Sequence, residues 1–119
     1  MIDIEFKPRA SGKTKELIKI ALDKSVNNMV YFITKHDYKI FKGMYGNANL
    51  KFIRSPEEIA YGIKRDCCLV YDETFPSLET IIRYHSSDEY SLYFRGTLQG
   101  EMHKDVKEYL LEYYPEIMI

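Results

Sequence analysis

The chain has 119 residues, 45% of them hydrophobic and 29% charged, with 17 Lys plus Arg against 18 Asp plus Glu for a net charge of -1. This length suits one domain with a sizeable core and excludes a multidomain enzyme or a two-lobed motor. The charge balance excludes a chain that wraps nucleic acid by electrostatics alone, and the short apolar runs exclude a membrane helix, which needs about 20 residues.

Ile2 to Phe6 alternates apolar and charged residues and predicts a short strand. Lys7 to Gly12 is a loop. Thr14 to Ser25 carries Leu17, Ile18, Ala21 and Leu22 at helical spacing, and Asn27-Asn28 ends that helix. Met29 to Thr34 is a continuous apolar and β-branched run, the mark of a strand buried on both faces. His36 to Lys42 predicts a short helix closed by Gly43, and Leu50 to Ile53 a third strand. Ser55-Pro56-Glu57-Glu58 is a helix start, with Ser55 as cap, Pro56 in the first turn and Glu58 closing a capping box. That helix would turn Ile59, Ala60 and Ile63 inward. Cys67 to Tyr71 is another fully apolar strand. Pro76 to His85 is helical, with Leu78, Ile81, Ile82 and His85 on one side. Ser91 to Phe94 predicts a fifth strand. Met102 to Tyr114 is the last helix, with Val106, Tyr109, Leu110 and Tyr113 as its buried stripe and Pro115 as its stop.

Strands alternating with helices predict an α/β fold: a three-layer sandwich whose five-stranded sheet is mainly parallel, in a single domain over residues 1–119. Cys67 and Cys68 are adjacent and have no His or Cys partner at metal-ligand spacing, so they read as buried thiols in a reducing cytosol. No charged start followed by an apolar stretch marks a signal peptide, so the expected location is cytoplasmic.

Chemistry concentrates at Pro8-Arg9-Ala10-Ser11-Gly12-Lys13-Thr14. This segment follows a predicted strand and precedes a predicted helix, the context that a phosphate-binding G-x-x-x-x-G-K-[ST] loop requires. A helix N-terminus exposes unpaired amides and a partial positive charge, which attract phosphate. Gly12 would let the backbone close on a β-phosphate, Lys13 would reach the β- and γ-phosphates, and the Thr14 hydroxyl would ligate Mg²⁺. Ala10 and Ser11 complete the candidate cradle. The first glycine of the pattern is replaced by Lys7, which tolerates a left-handed backbone at a cost of roughly 1–2 kcal/mol, so the front of the loop must differ in shape. A Gly-Lys-[Ser/Thr] tripeptide arises by composition in roughly one chain of this length in twenty, so the loop needs a second signal.

That signal is Cys67-Cys68-Leu69-Val70-Tyr71-Asp72-Glu73, an apolar strand ending in two carboxylates. The C-terminal end of a buried parallel strand faces the crevice where ligands bind. Asp72 there would hold Mg²⁺ through its water shell, and Glu73 would polarise an attacking water as general base. The plainer reading of the pair, helix-capping acids after an ordinary strand, loses ground once a phosphate-loop candidate lies upstream.

With both segments in place, the sequence resembles the P-loop NTPases. More narrowly, it resembles the branch with a catalytic Glu beside the Walker B Asp, which holds RecA-like ATPases, helicases and phage terminase motors. The resemblance runs from Ile2 to about Gly96. It implies a minimal nucleotide-binding domain that takes ATP with Mg²⁺ and hydrolyses it in a phage or mobile-element DNA process such as packaging or replication. In the host cytoplasm its partners would be DNA or a viral or host protein, with a homo-oligomer as one arrangement. A loop with no first glycine and an early arginine is similar to viral DNA-packaging ATPases, where that arginine can act on the γ-phosphate in cis. By this analogy Arg9 is a catalytic candidate beside Lys13 and Glu73; a solvent-facing arginine is the plain alternative. No Asn-Lys-x-Asp guanine-reading motif is present.

Other residues carry weaker signals. Arg95 or Thr97, after the fifth strand, would suit a γ-phosphate sensor, but a turn at Gly96 is the favoured reading. Lys35, Lys39, Lys42 and Lys51, interleaved with Tyr38, Phe41 and Tyr45, suit single-stranded nucleic acid, yet a solvated face over core aromatics explains them as well. His85 reads as a packed histidine. Arg54, Arg65 and Arg83 remain as arginines for a neighbouring subunit's site. Two rival functions stand beside the ATPase: a catalytically weak P-loop scaffold that binds and regulates a protein partner, and a small nucleotide kinase.

Overall fold

The computed structural model describes residues 1–8, 10–35, 37–54, 67–97 and 102–117. In chain order these form β1 (Ile2–Lys7), α1 (Lys13–Lys24), β2 (Met29–Thr34), α2 (Tyr38–Tyr45), β3 (Leu50–Ile53), β4 (Cys67–Asp72), α3 (Leu78–His85), β5 (Leu92–Thr97) and α4 (Lys104–Tyr113). The expected helix over Ser55, Ile59, Ala60 and Ile63 lies outside the described residues, as do Arg9, His36 and Arg65.

The five strands form one sheet in the order β1-β5-β4-β2-β3, and every pairing is parallel. The α/β expectation therefore holds, with a sheet parallel throughout. All six residues of β4 are buried, as its unbroken apolar run requires at the centre of a sheet covered on both sides. β1 keeps its alternation because it is an edge strand, with Phe6 buried and Glu5 exposed.

The layers follow from the side-chain period of two. Leu17, Ile18 and Ala21 of α1 pack with Val30, Phe32, Cys68, Val70 and Tyr93 on one face, where Tyr38, Phe41 and Tyr45 of α2 join them. Phe6, Ile33, Leu69, Tyr71, Leu92 and Phe94 point to the other face, against Tyr84 of α3. Ile81, Val106 and Leu110 seal α3 to α4 outside that layer. The connections β1 to β2 and β2 to β3 step one way across the sheet under α1 and α2. β4 to β5 steps back under α3, so a single crossover hand puts the helices on opposite faces.

Several element details differ from expectation. α2 runs through Gly43 to Tyr45, because Phe41 and Tyr45 both pack on this face, Phe41 within 6.1 Å of the Phe52 ring. The buried stripe of α3 is Ile81 and Tyr84, while Ile82 is 44% exposed. Tyr84 is drawn inward because its hydroxyl donates to the Cys67 carbonyl at 3.2 Å. On α4, Val106 and Leu110 are buried but Tyr113 is half exposed, its ring lying against His85 and Tyr109. His85 is indeed packed, Nδ1 lying 2.6 Å from the Tyr109 hydroxyl. Both cysteines are buried thiols, and burial pushes the Cys68 thiol up to about 12. Among the described residues, no helix is long and apolar enough to cross a membrane.

Candidate active site

Parallel pairing brings the C-terminal ends of β1, β5, β4 and β2 to one edge. Lys7 stands beside Thr97, Asp72 beside Arg95, and Thr34 beside Asp72. Three non-glycine residues among those described have positive φ, and each follows a strand at this edge: Ala10 (58°), Asp37 (53°) and Glu73 (59°). Each costs roughly 1–2 kcal/mol, and such strain gathers at ligand-binding sites.

The loop into α1 turns twice into the left-handed region, at Ala10 and at Gly12 (φ 77°). Alternation of this kind aims successive amides toward one concavity, the arrangement that binds anions. Gly12 caps α1 by position only: its carbonyl accepts from the Glu16 amide at 3.0 Å, and no side chain caps the helix. A Cβ at Gly12 would meet nothing within 4 Å, so its glycine is required by φ alone.

Lys7 needs no left-handed backbone. It is the last residue of β1, and the positive φ falls at Ala10 instead. The Lys7 ammonium donates to Glu16 Oε2 at 2.7 Å and lies 3.3 Å from Glu5 Oε2. The replacement of the first glycine thus ties the strand to the first turn of α1.

The two signals read from the sequence meet here. The Thr14 hydroxyl donates to Asp72 Oδ2 at 2.9 Å, joining residues 58 apart in the chain. Lys13, only 9% exposed, donates from Nζ to the Pro8 carbonyl at 3.2 Å and lies 3.5 Å from Glu73 Oε1. Thr97 Oγ1 donates to the same Glu73 oxygen at 2.6 Å, and the Glu73 amide donates to the Arg95 carbonyl at 3.2 Å. Lys13, Gly12, Thr14, Asp72 and Glu73 therefore share one site, with Ala10 and Ser11 exposed on its loop. Arg9 lies outside the described residues. No family model, curated protein or solved structure matches the chain. The site is thus defined by its own geometry.

Arg95 and Gly96 correct the expectation of a turn. β5 runs straight through them to Thr97. Gly96 is needed for space, since a Cβ there would come within 2.6 Å of Phe94 Cζ in the aromatic packing. Arg95 is 2% exposed on the α1 face and donates to Glu16 Oε1 (3.2 Å), Asp3 Oδ1 (3.0 Å) and the carbonyls of Asp3 (3.2 Å) and Phe94 (2.9 Å). That guanidinium clamps β1 and α1 to β5, with its donors spent on protein acceptors. Thr97 keeps a role through Glu73, which the sequence hinted at only as a polar residue near the strand end. The Lys7 hydrogen bond, opposed by burial and reinforced by Arg95, holds the Glu16 carboxyl below its ordinary value.

The donor set suits a magnesium ion. Thr14 and Asp72 supply two adjoining hard oxygens, 2.9 Å apart, which is the donor type that Mg²⁺ takes directly or through its water shell. The described residues hold no group of three or more His, Cys, Asp and Glu that would cage a metal by itself. A nucleotide-borne Mg²⁺ needs none, since it takes one or two protein oxygens and completes its shell with phosphate and water. Lys13 against Asp72 and Glu73 leaves carboxylate charge in excess, so phosphate would enter this site more readily with its cation.

Proposed function

We propose that this chain binds a nucleoside triphosphate with Mg²⁺ at the loop between β1 and α1 and hydrolyses it with Glu73 as general base. ATP is the nucleotide that the resemblance favours. The observation that supports the reading is the Thr14–Asp72 hydrogen bond, because two segments 58 residues apart touch through the atoms that metal chemistry needs.

In this reading, the amides around Gly12 and the Lys13 ammonium take the β- and γ-phosphates, and Lys13 exchanges the Pro8 carbonyl for phosphate oxygen. Thr14 and Asp72 would hold the Mg²⁺, which supplies charge neutralisation at the transferring phosphoryl group. Thr97 orients Glu73, whose strained backbone turns the carboxylate back toward Lys13. Arg9 is the candidate for cis action on the γ-phosphate. A DNA-directed process in a phage or mobile element, a homo-oligomer and a cytoplasmic setting belong to this proposal as implications of the resemblance.

The test is calorimetry with Mg²⁺-ATP on the wild type, Lys13→Ala and Glu73→Gln, followed by turnover. Lys13→Ala should weaken binding by about a hundredfold, about 2.7 kcal/mol. Glu73→Gln should keep binding and lose turnover. An absence of wild-type binding at millimolar nucleotide sinks the proposal.

A second reading, a catalytically weak scaffold that regulates a partner, draws on the engagement of Glu73 by both Lys13 and Thr97. Binding without turnover in the wild type would select it.

A further inference from the structure

A second opening lies at the same sheet edge, with a volume of about 380 Å³ and Lys35, Glu73, Thr74, Phe75, Met102 and His103 as its walls. Glu73 is the wall it shares with the loop site. The residues divide by chemistry. Phe75 and Met102 are half-buried and make an apolar side, and the Phe75 ring is held in place by Phe94 at 4.6 Å and Phe6 at 6.0 Å. Lys35 and His103 are exposed and bring one ammonium and one imidazole to the rim. Lys35 forms no ion pair among the described residues. Among the described residues Glu73 is the single acidic wall, and its carboxylate is turned to Lys13 and Thr97.

We propose that this cleft binds a nucleoside 5′-phosphate unit, the base against Phe75 and Met102 and the phosphate at Lys35 and His103. A fixed aromatic ring beside an exposed ammonium and a hydrogen-bonding imidazole suits a single nucleotide unit, because every base has a π-face and every phosphate a charge. The volume lies in the lower part of the range for small-ligand pockets, about 300–1,000 Å³, which is room for one nucleotide unit. The cleft is separate from the proposed triphosphate site but touches it at Glu73, so a second substrate would sit beside the proposed general base. The ligand has two sources, a free nucleoside monophosphate or the end of a nucleic-acid strand.

Titrations of AMP, TMP and a 5′-phosphorylated oligothymidylate of about eight nucleotides into the full chain at low salt test this. The variants are Lys35→Glu, Phe75→Leu and Lys13→Ala, with circular dichroism to check folding and Mg²⁺-ATP binding measured in parallel. Saturable binding is expected, weakened about tenfold or more by Lys35→Glu and changed less than about twofold by Lys13→Ala. Phe75→Leu should weaken AMP but leave inorganic phosphate unchanged, which separates a lost stacking surface from a misfolded protein. Equal affinity for monophosphates and oligonucleotide assigns the free nucleotide, and about tenfold tighter oligonucleotide binding assigns the strand end. No saturable binding at millimolar ligand overturns the proposal, as does indifference to Lys35→Glu. Loss of AMP binding in Lys13→Ala also overturns it, by placing the monophosphate in the loop site. Retained AMP binding in a wild type that ignores Mg²⁺-ATP overturns the triphosphate reading alone.

Discussion

Two charge clusters lie one strand apart and share α1. Around Arg95, the guanidinium and the Lys7 ammonium face Asp3, Glu5 and Glu16. Around Lys13, one ammonium faces Glu73, and Asp72 joins the cluster through its hydrogen bond from Thr14. Each cluster has one carboxylate more than it has cations. They differ in backbone and in closure. Arg95 sits in an unstrained strand with four contacts between 2.9 and 3.2 Å. Lys13 has looser contacts at 3.2 and 3.5 Å and lies between left-handed Ala10 and Glu73. A charge cluster that only holds a fold satisfies its donors in relaxed geometry. One that handles a ligand keeps strain and exchangeable contacts at an open edge.

The largest effect should come from breaking the first cluster. Arg95→Met leaves Asp3 and Glu16 facing each other without their buried cation and should cost about 3 kcal/mol, the low end for such a loss because both carboxylates are a third exposed. Lys13→Met should change stability by less than about 1 kcal/mol, although it should weaken nucleotide binding by about a hundredfold. Urea unfolding of both variants measures the pair. Equal losses would erase the distinction between the clusters.

The sequence made the second cluster legible and left the first hidden, for a physical reason. Lys13, Thr14, Asp72 and Glu73 follow local rules: a glycine before a helix start, and carboxylates at the end of an apolar strand. Parallel pairing of β1, β5 and β4 then brings the two segments together. Arg95 depends on register across β1 and β5 and on the face on which Glu16 emerges, neither of which is local. For the same reason Gly96 looked like a turn: the aromatic wall of Phe94 and Phe6 that forbids a side chain there exists only once the sheet is formed. Tyr84 replaced Ile82 on the buried face of α3 because a hydroxyl partner, the Cys67 carbonyl, lies across the layer. Hydropathy alone ranks those two residues the other way.

Strain at Glu73 gives a smaller and opposite effect. Glu73→Gly relieves a left-handed backbone at a glutamate and gives up the exposed Thr97 hydrogen bond and the 3.5 Å ion pair with Lys13, which keeps its bond to the Pro8 carbonyl. A gain of about 0.5–1 kcal/mol is expected, after the added freedom of the unfolded chain is counted. The same variant should lose turnover, so stability and activity would move in opposite directions at one residue. A thermal melt alongside a phosphate-release assay reads both. A destabilised Glu73→Gly would mean that the carboxylate holds the loop in place and that the strain is not reserved for function.

The smallest effect is a pH dependence that belongs to the Arg95 cluster. Glu16 is held below its ordinary value of 4.5, chiefly by its hydrogen bond from Lys7, against burial and with help from Arg95. Its folded form therefore binds a proton less readily than its unfolded form. The stability this contributes is complete above 4.5 and declines as pH falls through the lowered folded value, where the unfolded chain takes up the proton first. Urea midpoints measured from pH 6 down to pH 3 should fall for the wild type and fall less for Glu16→Gln. Lys7→Gln removes the leading cause and should flatten the same limb, whereas Lys13→Gln should leave it unchanged, because Lys13 takes no part in holding Glu16. If Lys13→Gln flattened the limb as much as Lys7→Gln, the two clusters would be one electrostatic unit. The lysine standing in for the first glycine would then belong to the phosphate site itself.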